Sequence, residues 1–482
     1  MNAMPIALFW LLAIWGLLSR RPVLLYLFFA TLPIGAFAVL PTAVTGGLTF
    51  TPTPILTLLL IFRTFSDRGG LAAFLTLATL PQRLMLLALF WMVAAITTVF
   101  MPRLFAGAAM VVPIRGVVSA TAPLQPTAQN ISQFAYLSIA VLSVFAFARL
   151  LQSPAMRQHA LKAMCLGAFV TIVTGLLDFA SQFLPLAPLL EPFRTASYAL
   201  LTDIEVMGGK RVVGLMPEAS AYGGQCLAFL SALYFYRRAL AEGRLRDLYV
   251  PILLGGLTLC AWLSTSSGTY VGVAVLLLVA ALEWFLRANT DERKGAVYRS
   301  GLVGEMSVTV CAVIAAAALA ILQPHIFDPV YALVERMVLE KQSSSSFGER
   351  GMWRATAVSA LLETHGFGVG LGGTRASSSI VAIFSSTGVI GGMLFYTFVL
   401  QSLLRGAWRA TIEMQLIVAA LRFSFIPPFV LSLMVGDADF SGMTAFGFGI
   451  VTALAASARQ NRRAQRIAGP IPPSDAAYQL RW

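Results

Sequence analysis

The chain has 482 residues, 58% hydrophobic and only 11% charged, and apolar runs of membrane-crossing length recur along it. The runs are continuous, without barrel-type alternation, so the fold class is an all-α polytopic membrane protein and a β-barrel is excluded. The net charge of +13 comes from basic residues gathered on alternate connections, which is a topology signal and argues against a nucleic-acid partner.

In chain order, spans are predicted near residues 4–18, 22–40, 53–62, 84–100, 132–148, 163–183, 219–236, 248–264, 268–286, 303–323, 379–403, 412–435 and 440–457, about twelve to thirteen in all. Within 53–83, a short apolar run, a charged turn from Arg63 to Arg68 and a second run of about ten residues form either one broken helix or two short ones. The first run ends at Arg20 and Arg21 without a small-residue cleavage site, so it is expected to be a retained helix. Residues 1–457 are read as a single transmembrane domain. Residues 458–482, with an arginine cluster from Arg459 and prolines at Pro470, Pro472 and Pro473, are read as a basic cytoplasmic tail lying against the anionic leaflet.

One set of alternate connections, with the tail, carries 23 of the 34 Lys and Arg and is therefore expected to be cytoplasmic. Ten lie on the opposite set, and Arg422 falls inside a span. Eight of those ten sit in two outer connections. These are about 184–218, with Arg194, Lys210 and Arg211, and about 324–378, with Arg336, Lys341, Arg350, Arg354 and Arg375. Basic residues are scarce on that face, and an anionic ligand is the expected reason for their presence. The cytoplasmic connections are short and carry no phosphate-binding glycine loop, so direct drive by ATP is not expected. Cys165, Cys226, Cys260 and Cys311 lie in or at the ends of apolar spans, where a thiol behaves as a small hydrophobe. His159, His325 and His365 have no ligand spacing with carboxylates, so no metal and no cofactor is expected.

In the first outer connection, Arg211-x-x-Gly214-Leu215-x-Pro217-Glu218-x-Ser220 runs straight into a helix. In the second, Arg350-x-x-x-Arg354 is followed by Gly368-x-Gly370-x-Gly372 and then by a helix containing Gly388-x-x-Gly391. This pattern, over about residues 130–455, resembles the O-antigen ligase and Wzy-type polymerase superfamily. The resemblance implies a GT-C-like fold and metal-independent, inverting glycosyl transfer at the periplasmic face of the bacterial inner membrane. It also implies a glycan donor carried on undecaprenyl diphosphate, with a flippase and a chain-length regulator as partners in the same pathway. Ligases of the superfamily carry a histidine after the Gly-x-Gly segment, where this chain has Ser377-Ser378-Ser379 and its His365 precedes the glycines. Polymerisation of a lipid-linked repeat unit is therefore the expectation. Ligase-type transfer to another acceptor and a flippase or secondary transporter are the alternatives, the last disfavoured because the polar chemistry gathers on one face.

Under that resemblance, Arg211 and Arg350 are the first candidates to meet the diphosphate with forked, charge-assisted hydrogen bonds, with Lys210 beside them. For Arg211 the competing reading is an interfacial snorkelling residue. Glu218, directly before a helix, is either the base that takes the acceptor proton or an acidic helix-start residue favoured by the dipole. Arg375 follows glycines that would let backbone approach a ligand, unless the stretch is a flexible loop with a solvated arginine. Arg354 is either a second phosphate contact or a partner for Glu349 or Glu363. Tyr222 either lines the pocket or anchors at the interface. His365 is taken as a further substrate-binding residue. Arg422 either binds deep in the groove or reaches for the cytoplasmic headgroups, and Asp178, Asp437 and Asp439 lie near the outer helix ends.

Overall fold

The computed structural model describes residues 3–40, 45, 49–115, 120–198, 200–206, 209–289, 301–323, 328, 331, 335, 345–405, 411–436 and 438–468. Arg336 and Lys341 of the second outer connection, Asp437, His325 and the tail beyond residue 468 lie outside the described residues. The helices are α1 Ala3–Leu18, α2 Val23–Thr31, α3 Pro52–Ser66, α4 Gly70–Thr79, α5 Met85–Leu104, α6 Ala128–Leu150, α7 Pro154–Ala180, the single turn α8 Ala187–Leu190, α9 Ala219–Tyr236, α10 Val250–Leu263, α11 Ser267–Ala288, α12 Leu302–Leu322, α13 Ser345–Glu363, α14 Ser379–Leu404, α15 Ile412–Val435 and α16 Gly442–Ala468. Sheet structure among the described residues amounts to two minimal hairpins, β1 (Met110–Val111) with β2 (Ala122–Pro123) and β3 (Glu205–Val206) with β4 (Gly209–Lys210). Seven helices among the described residues are long and apolar enough to cross a bilayer: α5, α6, α7, α10 with the turn before it, α11, α14 and α15. The chain is an all-α polytopic membrane protein.

Local signals start these helices where the apolar runs begin. Proline occupies the first turn of α3, α7 and α10, where its missing N–H leaves nothing unpaired. Thr127 opens α6 in a capping box with Asn130, whose side chain accepts the Thr127 N–H at 2.8 Å. The ambiguous stretch 53–83 forms two short helices, α3 and α4. Arg149 at the end of α6 donates to the Arg68 carbonyl before α4, at 3.4 Å, and Arg405 at the end of α14 donates to the Arg83 carbonyl after it. Both ends of α4 therefore lie at the same end of the bundle, and α4 does not cross it.

That end is also where the basic connections meet. Arg157, buried at the start of α7, pairs with Glu413 at the start of α15 at 3.1 Å. Arg237, Arg238 and Arg287 surround Glu305 of α12 at 2.6, 3.1 and 3.2 Å. Arg422 donates to the Leu403 and Arg405 carbonyls at 2.9 and 3.2 Å, capping the last turn of α14 and reaching toward this basic end. In the interior, α9 packs against α7, α10, α11 and α15, while α6 lies along α16, α2 along α7 and α5 along α14.

The helix α14 is broken at Gly388, whose φ of 72° and ψ of 178° are not helical. The glycine-rich segment after α13 enters that break. Val389 N–H donates to the Gly366 carbonyl at 2.9 Å and Val369 N–H to the Ser385 carbonyl at 2.8 Å. A Cβ on Gly368 would lie 2.6 Å from the Gly388 nitrogen. Here the glycines let one stretch of backbone approach another, which explains the pattern without a flexible loop.

Replacing Gly388 by alanine puts a Cβ 2.6 Å from the Phe367 carbonyl oxygen on a left-handed backbone. A loss of about 2 kcal/mol or more is expected, read as a fall in the thermal midpoint of the detergent-purified protein. Gly255→Ala, where a Cβ meets nothing within 4 Å, is the matched control. Equal midpoints for the two variants would show that the break is not under this constraint.

Candidate functional site

At the end opposite the basic cluster, the connections carrying the predicted residues interlock. Their anchor is Asp178 in the last turn of α7, which is 0% exposed. One carboxylate oxygen accepts from Arg194 at 2.6 Å, and the other takes the N–H groups of Val213 at 2.7 Å and Gly214 at 3.0 Å. Arg194 also donates to the Gly214 carbonyl at 2.9 Å. A buried carboxylate is tolerated only when its charge is paired and its lone pairs are filled, and here both conditions are met by the segment that leads into α9. Lys210 lies 3.9 Å from Asp178 and 3.1 Å from Asp203, so its ammonium is already paired. With the Thr202 hydroxyl, it holds the Asp203 carboxyl below the usual carboxylate range.

Arg211 follows directly. Its Nε donates to the Ser264 carbonyl at 3.3 Å and to Thr265 Oγ1 at 3.1 Å, and its Nη2 donates to the Thr265 carbonyl at 3.0 Å. The guanidinium is thereby clamped on the three-residue turn between α10 and α11, and its Nη1 makes no hydrogen bond among the described residues. Thr265 holds that turn with a φ of 44°, a conformation unusual for a β-branched residue. Burial pushes the Arg211 pKa down, and the like charge of Arg350 pushes it further, against the opposing pull of Glu218 and Tyr270. Arg211 therefore lies within electrostatic reach of both Glu218 and Arg350, the latter well over a hundred residues away in sequence.

Glu218 is the N-cap of α9. Its carbonyl accepts the Tyr222 N–H at 3.0 Å, but its carboxylate makes no bond to the first N–H groups of the helix. The carboxylate instead accepts the Ser220 hydroxyl, so it is not committed to starting the helix. Arg350 sits on α13, and its backbone carbonyl accepts the Ser377 hydroxyl at 2.8 Å. Its half-buried guanidinium has no hydrogen-bond or ion-pair partner among the described residues, and the same holds for the exposed Arg354. Glu363, one expected partner of Arg354, accepts from the Met110 N–H at 3.0 Å and the Ser359 hydroxyl at 3.2 Å instead.

Three predicted residues stand apart from this group. Arg375 donates to the Pro113 carbonyl at 3.0 Å and to the Ile114 carbonyl, and stacks on Trp353 at 5.4 Å. It is neither solvated nor open to a ligand; it ties the glycine segment to the connection between α5 and α6. Tyr222 is 0% exposed, and its hydroxyl donates to the Thr171 carbonyl at 2.8 Å. That makes it a core residue beneath the Asp178 loop, not a pocket wall or an interfacial anchor. His365 is exposed at the left-handed end of α13, with its ring edge-on to Phe105 at 6.3 Å. Asp439 accepts its neighbouring Phe440 N–H at 2.7 Å. Among the described residues, no group of His, Cys, Asp and Glu is arranged to hold a metal ion.

Comparison with family models and with curated proteins returns no match for this chain.

Sequence reasoning did not single out the clamp for Arg211. The polar run Ser264-Thr265-Ser266-Ser267 between two apolar spans was the available signal.

Asp178→Ala leaves Arg194 without its carboxylate and two backbone N–H groups without an acceptor. A loss of about 3–5 kcal/mol is expected, together with faster hydrogen exchange across residues 209–214. Arg375→Ala is also expected to lower the thermal midpoint, whereas Arg354→Ala is expected to stay within about 0.5 kcal/mol of the parent. Unchanged exchange in Asp178→Ala would remove it as the organiser of this loop.

Proposed function

We propose that this protein is a polysaccharide polymerase, a glycosyltransferase that joins undecaprenyl-diphosphate-linked repeat units at the periplasmic face of the bacterial inner membrane. The observation that carries the reading is the placement of Arg211 within electrostatic reach of both Glu218 and Arg350, with the Arg350 guanidinium without a partner among the described residues. Two cations and a carboxylate at one site suit a displacement in which negative charge develops on a departing diphosphate while a hydroxyl gives up a proton.

In this mechanism the acceptor hydroxyl attacks the anomeric carbon of the donor, its oxygen forms the new glycosidic bond, and the bond to the diphosphate oxygen breaks with inversion. The proton passes to the Glu218 carboxylate. The leaving diphosphate takes the electron pair, and its oxygens accept from the Arg350 fork and the remaining Nη1 of Arg211. Fixing Arg211 against two backbone carbonyls orients that Nη1 before substrate arrives, so little is lost to reorganisation in the transition state. A donor already activated as a lipid diphosphate fits a chain whose short inner connections have no nucleotide-binding motif. The reading includes a GT-C-like architecture of twelve to thirteen spans, membrane lipids around it, and a flippase and chain-length regulator acting on the same glycan.

Lipid-linked glycans extracted from cells with and without the protein, resolved by size and by attachment, test the proposal. Single repeats on the carrier in its absence support a polymerase. Long chains stranded on the carrier would instead mean a ligase, and single repeats confined to the cytoplasmic face would mean a flippase. Arg211→Ala and Arg350→Ala are each expected to cut polymer about 100-fold or more at normal membrane abundance, and Glu218→Gln by about 100-fold. Arg211→Lys is expected to rescue poorly, because an ammonium cannot hold the Thr265 turn and a phosphate oxygen together. Normal polymer from both alanine variants would sink the mechanism.

A further inference from the structure

At the basic end, far from Arg211 and Arg350 in the bundle, the junction of α1 and α2, the last turn of α3 and the end of α6 enclose a cavity of about 320 Å³. Its lining combines two kinds of surface. Leu24 and Leu60, both buried, belong to its apolar wall, while Arg20, Arg63 and Arg149 supply three cations against the single carboxylate of Asp67. Arg63 is held by the Gly16 carbonyl at 3.0 Å. Arg149 makes one long contact, from Nη2 to the Arg68 carbonyl at 3.4 Å, and its Nη1 is buried without a hydrogen-bond partner. Arg20 is exposed and has no partner among the described residues.

Three guanidinium groups against one carboxylate leave the cavity with excess positive charge, which suits an anionic ligand. The volume lies within the range of ligand sites. We propose that this cavity binds the phosphate group of an anionic phospholipid, which accepts from Arg20 and Arg149. The leucine wall and the position at the end of the membrane-crossing helices favour a lipid headgroup over free phosphate, since the cationic rim and the apolar wall match the two parts of a phospholipid. The assignment does not depend on the catalytic reading of the opposite end.

The test uses the full chain purified in neutral detergent, with bound lipid counted by native mass spectrometry and stability followed by thermal unfolding. Phosphatidylglycerol is expected to remain bound one to one and to raise the midpoint, and phosphatidylcholine is not. Arg149→Gln and Arg20→Gln are each expected to weaken phosphatidylglycerol binding about tenfold, the effect of one lost charge-assisted contact. Arg244→Gln, an exposed arginine elsewhere at the same end, is expected to leave it unchanged. Should Arg149→Gln fail to fold, the partner-free Arg20 still reports on the site. Equal retention of phosphatidylcholine, indifference to both substitutions, or equal stabilisation by inorganic phosphate would each overturn the assignment.

Discussion

The arrangement at the end opposite the basic cluster rests on a carboxylate that water cannot reach. Asp178 terminates α7 in the protein interior, and its charge is balanced by Arg194 and by two peptide N–H groups of the segment that carries Arg211 into α9. Because a buried charge with a missing partner is strongly destabilising, this segment has essentially one acceptable path. Arg211 is delivered to the Ser264–Thr265 turn, and Glu218 to the start of α9, by the same constraint. This end is thus built from the core outward, and the placement of Arg211 and Glu218 depends on a residue that is 0% exposed.

The arginines of this end fall into two groups by what their guanidinium groups touch. Arg194 and Arg375 are engaged with protein acceptors and hold loops together. Arg350 and Arg354 meet no acceptor among the described residues, and Arg211 stands between the groups, clamped along one edge and open at Nη1. Charge alone does not separate them, since all five are arginines at this end of the bundle. The separation lies in the geometry of carbonyl groups contributed by other parts of the chain.

That contrast also marks how far the sequence was legible. Most of the helices could be read because a span announces itself locally: an apolar run of sufficient length has few other ways to satisfy its peptide groups. The run expected at 22–40 is the exception, helical only over Val23–Thr31 before the chain leaves the helix. The segment from Arg63 to Arg83 was ambiguous because two short runs joined by a charged turn fit more than one path, and only the ties of Arg68 and Arg83 to the ends of α6 and α14 resolve it. Arg211, Glu218 and Arg350 were picked out by type and position, and Arg211 lies within electrostatic reach of the other two. Tyr222 and Arg375 were picked out on the same grounds but are engaged with the Thr171, Pro113 and Ile114 carbonyls. Those partners lie tens to hundreds of residues away, and no local pattern encodes them. The glycines were visible as a pattern, but the object they make room for is the interrupted helix α14.

The union of the glycine segment with Gly388 has a further bearing on which changes the chain can accept. A non-helical stretch inside a membrane-crossing helix would ordinarily present bare peptide groups to lipid. Here the paired carbonyl and N–H groups of Gly366, Val369, Ser385 and Val389 complete one another, so the neighbouring backbone supplies what the helix lacks. The fifteen or so residues from His365 to Ser379 are therefore not ordinary loop in the sense of free length. An insertion or deletion there would shift one side of the seam against the other, and this connection is expected to be as intolerant of changes in length as the spans it joins.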